Sequence, residues 1–238
     1  MKKSIHHSIL LTQTRPPTSH EVTFWEHRGY TVHYHALLNV QYLPVEPLTI
    51  IPQAIVLTSA NGALALQHSD WDRTIPVYGV GTTTATTAKS VGFLDCSCPS
   101  DKPYPSAINL MNWIKKNLNP ADGHLIFGCG TIVRHNIGEA LKPFGFTVLN
   151  TVLYNTESII AFDKKIKLAL KNGEIDTIVI SSKQSLITFM TLCKKADISF
   201  YNFTILVPSQ FLKTTATQLG YLDISIFKNN PNSYVGGG

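Results

Sequence analysis

Apolar residues in this chain come in short runs, each closed by a turn rich in hydroxyls or glycine and followed by a segment of helical character. Ile9 to Leu11 and Leu125 to Phe127 are such runs. Each predicts a buried strand that leads through a polar turn into a helix ending at Gly29 or Gly145. The β-branched and aromatic stretches YTVHYHALL, from Tyr30, and FTVLNTVLY, from Phe146, predict the next strands. Two further buried strands are predicted to end at Thr58-Ser59 and Ser181-Ser182, where hydroxyls are placed to cap the helices that follow. IPVYGVG, from Ile75, and FTILVPS, from Phe203, predict strands running into Thr-rich helices that stop at Gly92 and Gly220.

The parallels amount to a duplication. IVLTSANGALAL lies over IVISSKQSLITF with Ile55 on Ile178, a displacement of 123 residues. TTAKSVGFLD lies over TTATQLGYLD with Thr86 on Thr214, a displacement of 128. Gly29, Thr31, Val32, Leu37 and Asn39 lie over Gly145, Thr147, Val148, Leu153 and Asn155, a displacement of 116. Strand and helix alternating in this way imply parallel sheets with helices on both faces, so the expected fold is α/β, with two similar doubly wound domains.

In such sheets ligands settle beyond the carboxyl ends of the strands, against helix N-termini that favour anions. The polar residues gather at those points: Thr12, Thr14 and Arg15; Thr58, Ser59 and Asn61; Gly81, Thr82 and Thr84; Gly128, Gly130 and Arg134; Ser181 and Ser182; and Ser209. Any one of these hydroxyls reads equally well as a helix cap without a ligand. Their recurrence in two repeated domains points to a distributed anion-binding cleft.

Composition narrows the chemistry. With 238 residues, 44% hydrophobic and 15% charged, the chain can bury one large core or two small ones and is not a disordered polymer. Four cysteines are too sparse for a disulfide scaffold, and Cys96 and Cys98 stand one residue apart, unlike a zinc knuckle, so reduced thiols in a cytoplasmic protein are expected. The opening MKKSIHHSILL has the basic start of a signal peptide but too short an apolar run, and no stretch approaches the ~20 apolar residues of a membrane span.

The net charge of +5 is spread, with Lys115, Lys116, Lys164, Lys165, Lys167 and Lys171 on segments that read as helices. No basic stripe interleaved with aromatics suggests nucleic acid. The nine histidines form no metal spacing, and no metal is assigned. GVGTTTA is not GxGxxG, the GCG at Gly128 lacks the lysine of a phosphate loop, and GxSxG is absent, so neither a nucleotide cofactor nor a covalent nucleophile is expected. The trailing NNPNSYVGGG reads as a mobile end.

The opening LLTQTRPP, IVLTSANGALAL, VYGVGTTTATTAKSVGF and LIFGCGTIVRHNIGEALKPFGFTVLNTVLYNT, in this order and spacing, resemble the uroporphyrinogen-III synthase family over nearly the whole chain. The resemblance implies a discontinuous domain of residues 1–36 plus 157–238, a second of 37–156, a two-segment hinge, and an active-site cleft between them. The repeat boundaries alone suggest a cut near Ala121. The implied reaction is the cofactor-free closure of hydroxymethylbilane, a linear tetrapyrrole with eight carboxylates, with loss of water and inversion of ring D. The resemblance points to Tyr154 as the proton donor to the departing hydroxyl and to Thr84 as a hydrogen-bonding group. In the second copy of the glycine turn, Ser209 replaces Gly81 and Leu212 stands in place of Thr84. The expected protein is a cytoplasmic monomer acting on a small acidic substrate, with neither nucleic acid nor membrane as partner. A non-catalytic two-domain sensor of an acidic metabolite is the alternative.

Overall fold

The apolar runs fold as strands, and the hydroxyl-rich turns after them begin helices. The computed structural model describes residues 7–99, 106–133 and 136–227. The trailing segment expected to be mobile lies outside the described residues. In chain order the elements are β1 (His7–Leu11), α1 (Ser19–Glu26), β2 (Tyr30–Tyr34), β3 (Leu38–Tyr42), β4 (Ala54–Leu57), α2 (Ala60–Ala65), β5 (Val77–Gly79), α3 (Thr82–Ser90), β6 (Cys96–Ser97) and α4 (Ala107–Asn117). They continue with β7 (Leu125–Gly130), α5 (Ile137–Leu141), β8 (Val148–Ser158), α6 (Lys164–Lys171), β9 (Thr177–Val179), α7 (Lys183–Ala196), β10 (Thr204–Val207), α8 (Gln210–Gln218) and β11 (Ile224–Ile226). Gly29, Gly92, Gly145 and Gly220, predicted as helix stops, all take the positive φ that a helix end of this kind requires.

The chain forms two compact units, Met1–Asn39 with Glu157–Gly238 and Val40–Thr156. Leu37 is fully buried in the core of the first unit with Leu10 and Phe162. The division falls inside β3, and residues 37–39, read above with the second unit, make their contacts with the first. No division occurs near Ala121, because β7 beyond it pairs with β4.

The first unit's sheet runs β11-β10-β9-β1-β2, and the second's runs β3-β8-β7-β4-β5-β6. Apart from β3, the two orders superpose: β7 and β8 stand for β1 and β2, and β4, β5 and β6 for β9, β10 and β11. Strand registers carry the same correspondence. Leu11 pairs with Tyr34 and Val179, and Phe127, its counterpart 116 residues on, pairs with Asn150 and Val56. Ile205 pairs with Ile224 as Val77 pairs with Cys96, each displaced by 128. The duplication read from the sequence is therefore also a duplication of hydrogen-bond register.

Both faces of each sheet are covered, as alternation along the strands demands. In the second unit Ile55 and Leu57 pack with α2 and α3, whereas Ala54 and Val56 pack with Leu110 and Ile114 of α4 and Ile137 and Leu141 of α5. In the first unit Leu10, Ile178 and Ile205 share a core with α6, α7 and α8, and Ile9 and Leu11 pack with Trp25 of α1 on the opposite face. No helix among the described residues is long and apolar enough to cross a membrane.

The start of α1 contains a buried carboxylate. Glu21 is 2% exposed and accepts from the Thr18 backbone N–H at 2.7 Å, from Arg15 Nη1 and Nη2 at 2.8 and 3.0 Å, and from Gln13 at 3.3 Å. Thr18 in turn caps Glu21 N, which completes a capping box. Burial pushes the Glu21 carboxyl up, but the Arg15 and Thr18 hydrogen bonds and the Arg15 charge outweigh it and hold the group below its ordinary value. A lowered carboxyl adds stability above its unfolded value, about pH 4.3, that is lost as pH falls through the folded value. Glu21→Gln is expected to cost about 2 kcal/mol at pH 7, where the ion pair is intact. Chemical denaturation should show the gap from the parent chain narrowing as pH falls below the unfolded value; a gap that stays constant would contradict the assignment.

Candidate functional site

Seven of the eight α-helices among the described residues begin with a side-chain cap. Thr18, Ser59, Ser106, Asn136, Asp163, Ser182 and Ser209 each accept from a first-turn N–H. The exception is α3, where Gly81 has no side chain to offer and no such bond is made. Gly81 thus leaves the cap position of this helix without a side-chain acceptor, in a position where the helix dipole favours negative charge. Thr82 is exposed there, with its hydroxyl 4.0 Å from Cys98 Sγ.

A second feature lies in the same unit, where β7 meets β4 and the direction of strand progression reverses, the place at which doubly wound sheets hold ligands. Cys129 pairs with Val152 but Gly130 with Tyr154, so β8 carries one extra residue, Leu153. This bulge re-aims the strand and lets two consecutive side chains turn to the same side. Leu153 is fully buried, and Tyr154 packs half-buried against the same cluster. The Tyr154 ring lies flat against Gly130, where an added Cβ would come within 2.8 Å of Cε2, 3.0 Å of Cζ and 3.3 Å of Oη. On another side Gly62 of α2 approaches Cε1 to 4.0 Å by the same measure. The bond from Thr131 N to Tyr154 O at 3.0 Å fixes the backbone.

The remaining candidates divide by what they already hold. Ser59 accepts from Asn61 N at 3.1 Å, Ser182 from Ser185 N at 3.0 Å and Ser209 from Leu212 N at 3.3 Å, so these oxygens serve as caps. A capping hydroxyl keeps its own hydrogen as a donor. Thr12 is buried and donates to Val179 O at 2.6 Å, tying β1 to β9. Arg15 is committed to Glu21. Thr84 is 4% exposed, its methyl against Gly79. Thr14, Thr58 and Asn61 are half-buried, Ser181 is exposed, and Gly128 is buried beneath Leu57 and Leu153. Arg134 lies outside the described residues.

The second unit thus carries Thr58, Ser59, Asn61, Gly81, Thr82, Thr84, Gly130 and Tyr154; the first carries Thr14, Arg15, Ser181, Ser182 and Ser209. Among the described residues no group of three or more His, Cys, Asp or Glu is placed to hold a metal ion. Sequence reasoning missed Glu21 as the partner of Arg15, although Thr18-Ser19-His20-Glu21 has the spacing of a capping box. Nothing in the sequence signalled the bulge.

A sequence model of the family described as HEM4, uroporphyrinogen-III synthase HemD, matches residues 25–227. No curated protein matches the chain. Among solved structures, the uroporphyrinogen-III synthetase from Helicobacter pylori is similar with a TM-score of 0.64 at 14% identity, over 92% of both chains. A mutant uroporphyrinogen III synthase from the extremely thermophilic bacterium Thermus thermophilus gives 0.51 at 13% identity, over 95% of both chains.

The two glycines on β7 should respond differently to a methyl group. At Gly128 the new Cβ would stand 2.5 Å from Leu153 Cδ1 and 2.7 Å from Leu57 Cδ2, inside the core, so Gly128→Ala is expected to destabilise by about 1–3 kcal/mol. At Gly130 the obstructing atoms belong to the tyrosine ring, which is half-buried and can swing away. Gly130→Ala should leave thermal unfolding nearly unchanged and alter the near-ultraviolet dichroism of Tyr154; equal destabilisation by both substitutions would contradict this geometry.

Proposed function

The chain belongs to the uroporphyrinogen-III synthase family, and from that premise we propose that Tyr154 and the glycine-capped start of α3 carry the chemistry in its second unit. The family's reaction is the closure of hydroxymethylbilane to uroporphyrinogen III in haem biosynthesis, a lyase reaction with loss of water and inversion of ring D, and it is the reaction of this chain. The observation that carries the assignment of residues is the seating of Tyr154 on Gly130 at the strand-order reversal, in the unit that also holds the one uncapped helix among the described residues.

The phenol of Tyr154 gives its proton to the terminal hydroxyl of the bilane as the carbon–oxygen bond breaks, and water departs. A tyrosine is protonated at neutral pH and suits this role. The stabilised cation left behind is attacked by the substituted pyrrole carbon of ring D, the spiro centre rearranges, and the proton released on closure returns to the phenolate. Uncatalysed closure proceeds without inversion, so the protein must hold the reacting ends together, and positioning can offset ~7–11 kcal/mol of barrier in favourable cases.

Carboxylates of the substrate bind at the start of α3, to the Thr82 N–H and hydroxyl, with Gly81 allowing close approach of the backbone. Thr58, Ser59 and Asn61 in this unit, and Thr14, Ser181, Ser182 and Ser209 in the other, donate further hydrogen bonds. Arg15 contributes mainly through Glu21 and the form of the turn, and Thr84 mainly through packing. The spread of the +5 charge supports a small acidic substrate over nucleic acid. We read the protein as a cytoplasmic monomer working without cofactor or membrane.

Incubation of the purified protein with hydroxymethylbilane, followed by oxidation and separation of isomers, should yield type III; the uncatalysed type I product alone would remove the assignment. Binding without turnover would instead favour a sensor. Tyr154→Phe should lower kcat by at least ~10²-fold while product affinity changes little, since only a transition-state role is removed. Thr84→Ala should do less to either. Retention of a third of the activity in Tyr154→Phe would move the proton source to the substrate's carboxylates or to water.

A further inference from the structure

β3 is the edge strand of the second unit's sheet and lies beside β8. Its last residue is Tyr42, and the next residue, Leu43, donates its N–H to Leu153 O at 2.9 Å. Tyr42 therefore precedes the donor, and Tyr154 follows the acceptor, of a single bond between the strands. Burial pushes the Tyr42 phenol up, and the neighbouring Tyr154 phenol adds to the effect, as two ionisable oxygens within each other's field require. Tyr42 is nevertheless 47% exposed. No sequence motif marks it.

We propose that Tyr42 is a positioning residue for the cyclisation, acting through Tyr154 by donating its O–H to the Tyr154 oxygen as that oxygen gives up its proton. The proposal rests on the reading of Tyr154 as the proton donor. When the Tyr154 proton passes to the departing hydroxyl, a phenolate remains, and a hydrogen bond to an ionised acceptor is about twice as strong as a neutral one. Tyr42 thus helps more in the transition state than before it, which favours turnover over binding. Its own O–H bond does not break. The proton released when the ring closes returns to Tyr154, so the pair ends the cycle as it began.

The test is a double-mutant cycle of Tyr42→Phe and Tyr154→Phe on the full chain. Tyr42→Phe alone should lower kcat about tenfold with KM within about twofold, the range expected for one lost charge-assisted hydrogen bond. In the Tyr154→Phe background the same change should cost less than about twofold, because the oxygen it serves is gone. A purely structural tyrosine would cost the same factor in both backgrounds, and that result would overturn the proposal. Full activity of Tyr42→Phe beside a crippled Tyr154→Phe would also overturn it while leaving the donor reading intact. A fully active Tyr154→Phe would end the donor reading and this proposal together. Independently of turnover, absorbance titration should show a phenol of high pKa moving toward the ordinary tyrosine value in Tyr154→Phe and missing in Tyr42→Phe; an unmoved titration would mean that the two oxygens do not interact.

Discussion

Every α-helix begins with backbone N–H groups that no carbonyl of the same helix can reach, and each must find a partner in the protein, in water or in a ligand. Seven helix starts among the described residues meet this demand from their own sequence, through serine, threonine, asparagine or aspartate. At α3 the cap position is glycine, which has no side chain with which to meet it. For a substrate carrying eight carboxylates this is a favourable place to bind, since donors and dipole are fixed before the ligand arrives. The same rule explains why Ser59, Ser182 and Ser209 contribute less than their number suggests: their oxygens are engaged before any substrate appears.

The second determinant is the single extra residue in β8. A regular strand places neighbouring side chains on opposite faces, which would separate Tyr154 from the cluster that buries Leu153. The bulge turns both the same way and seats the tyrosine ring on Gly130, the only residue type that leaves room for it. The ring packs on Gly130 and beside the cluster that holds Leu153, a placement that suits the proposed role of its hydroxyl as a proton donor. The duplicated first unit lacks this arrangement: Leu38 stands 116 residues before Tyr154, and Thr14 stands 116 before Gly130.

Much of the architecture was legible because duplication leaves paired traces. Ile55 and Ile178 occupy equivalent registers, and Gly29 and Gly145 stop equivalent helices, so the alternation of strand and helix and the helix ends followed from matching segments. Less was legible where two elements share one apolar run. YTVHYHALL reads as a single strand, but the chain leaves the first sheet after Tyr34, and Leu38 already begins β3 of the other sheet. Tyr154 was reached through the family resemblance, and its seat on Gly130 depends on a bulge that no periodicity reveals. Arg15 read as part of an anion-binding turn because its partner Glu21 lies within α1, where acidic residues are usually solvated.

Central to the proposed function is a substrate carboxylate bound at the glycine-capped start of α3. Amide chemical shifts measured while the product is titrated into isotope-labelled protein under anaerobic conditions test this directly. The Thr82 amide should move most, with smaller changes at Ser185 and Leu212, whose N–H groups are already bound by Ser182 and Ser209. Unmoved α3 amides in saturating product, with large shifts at the capped helices instead, would contradict it.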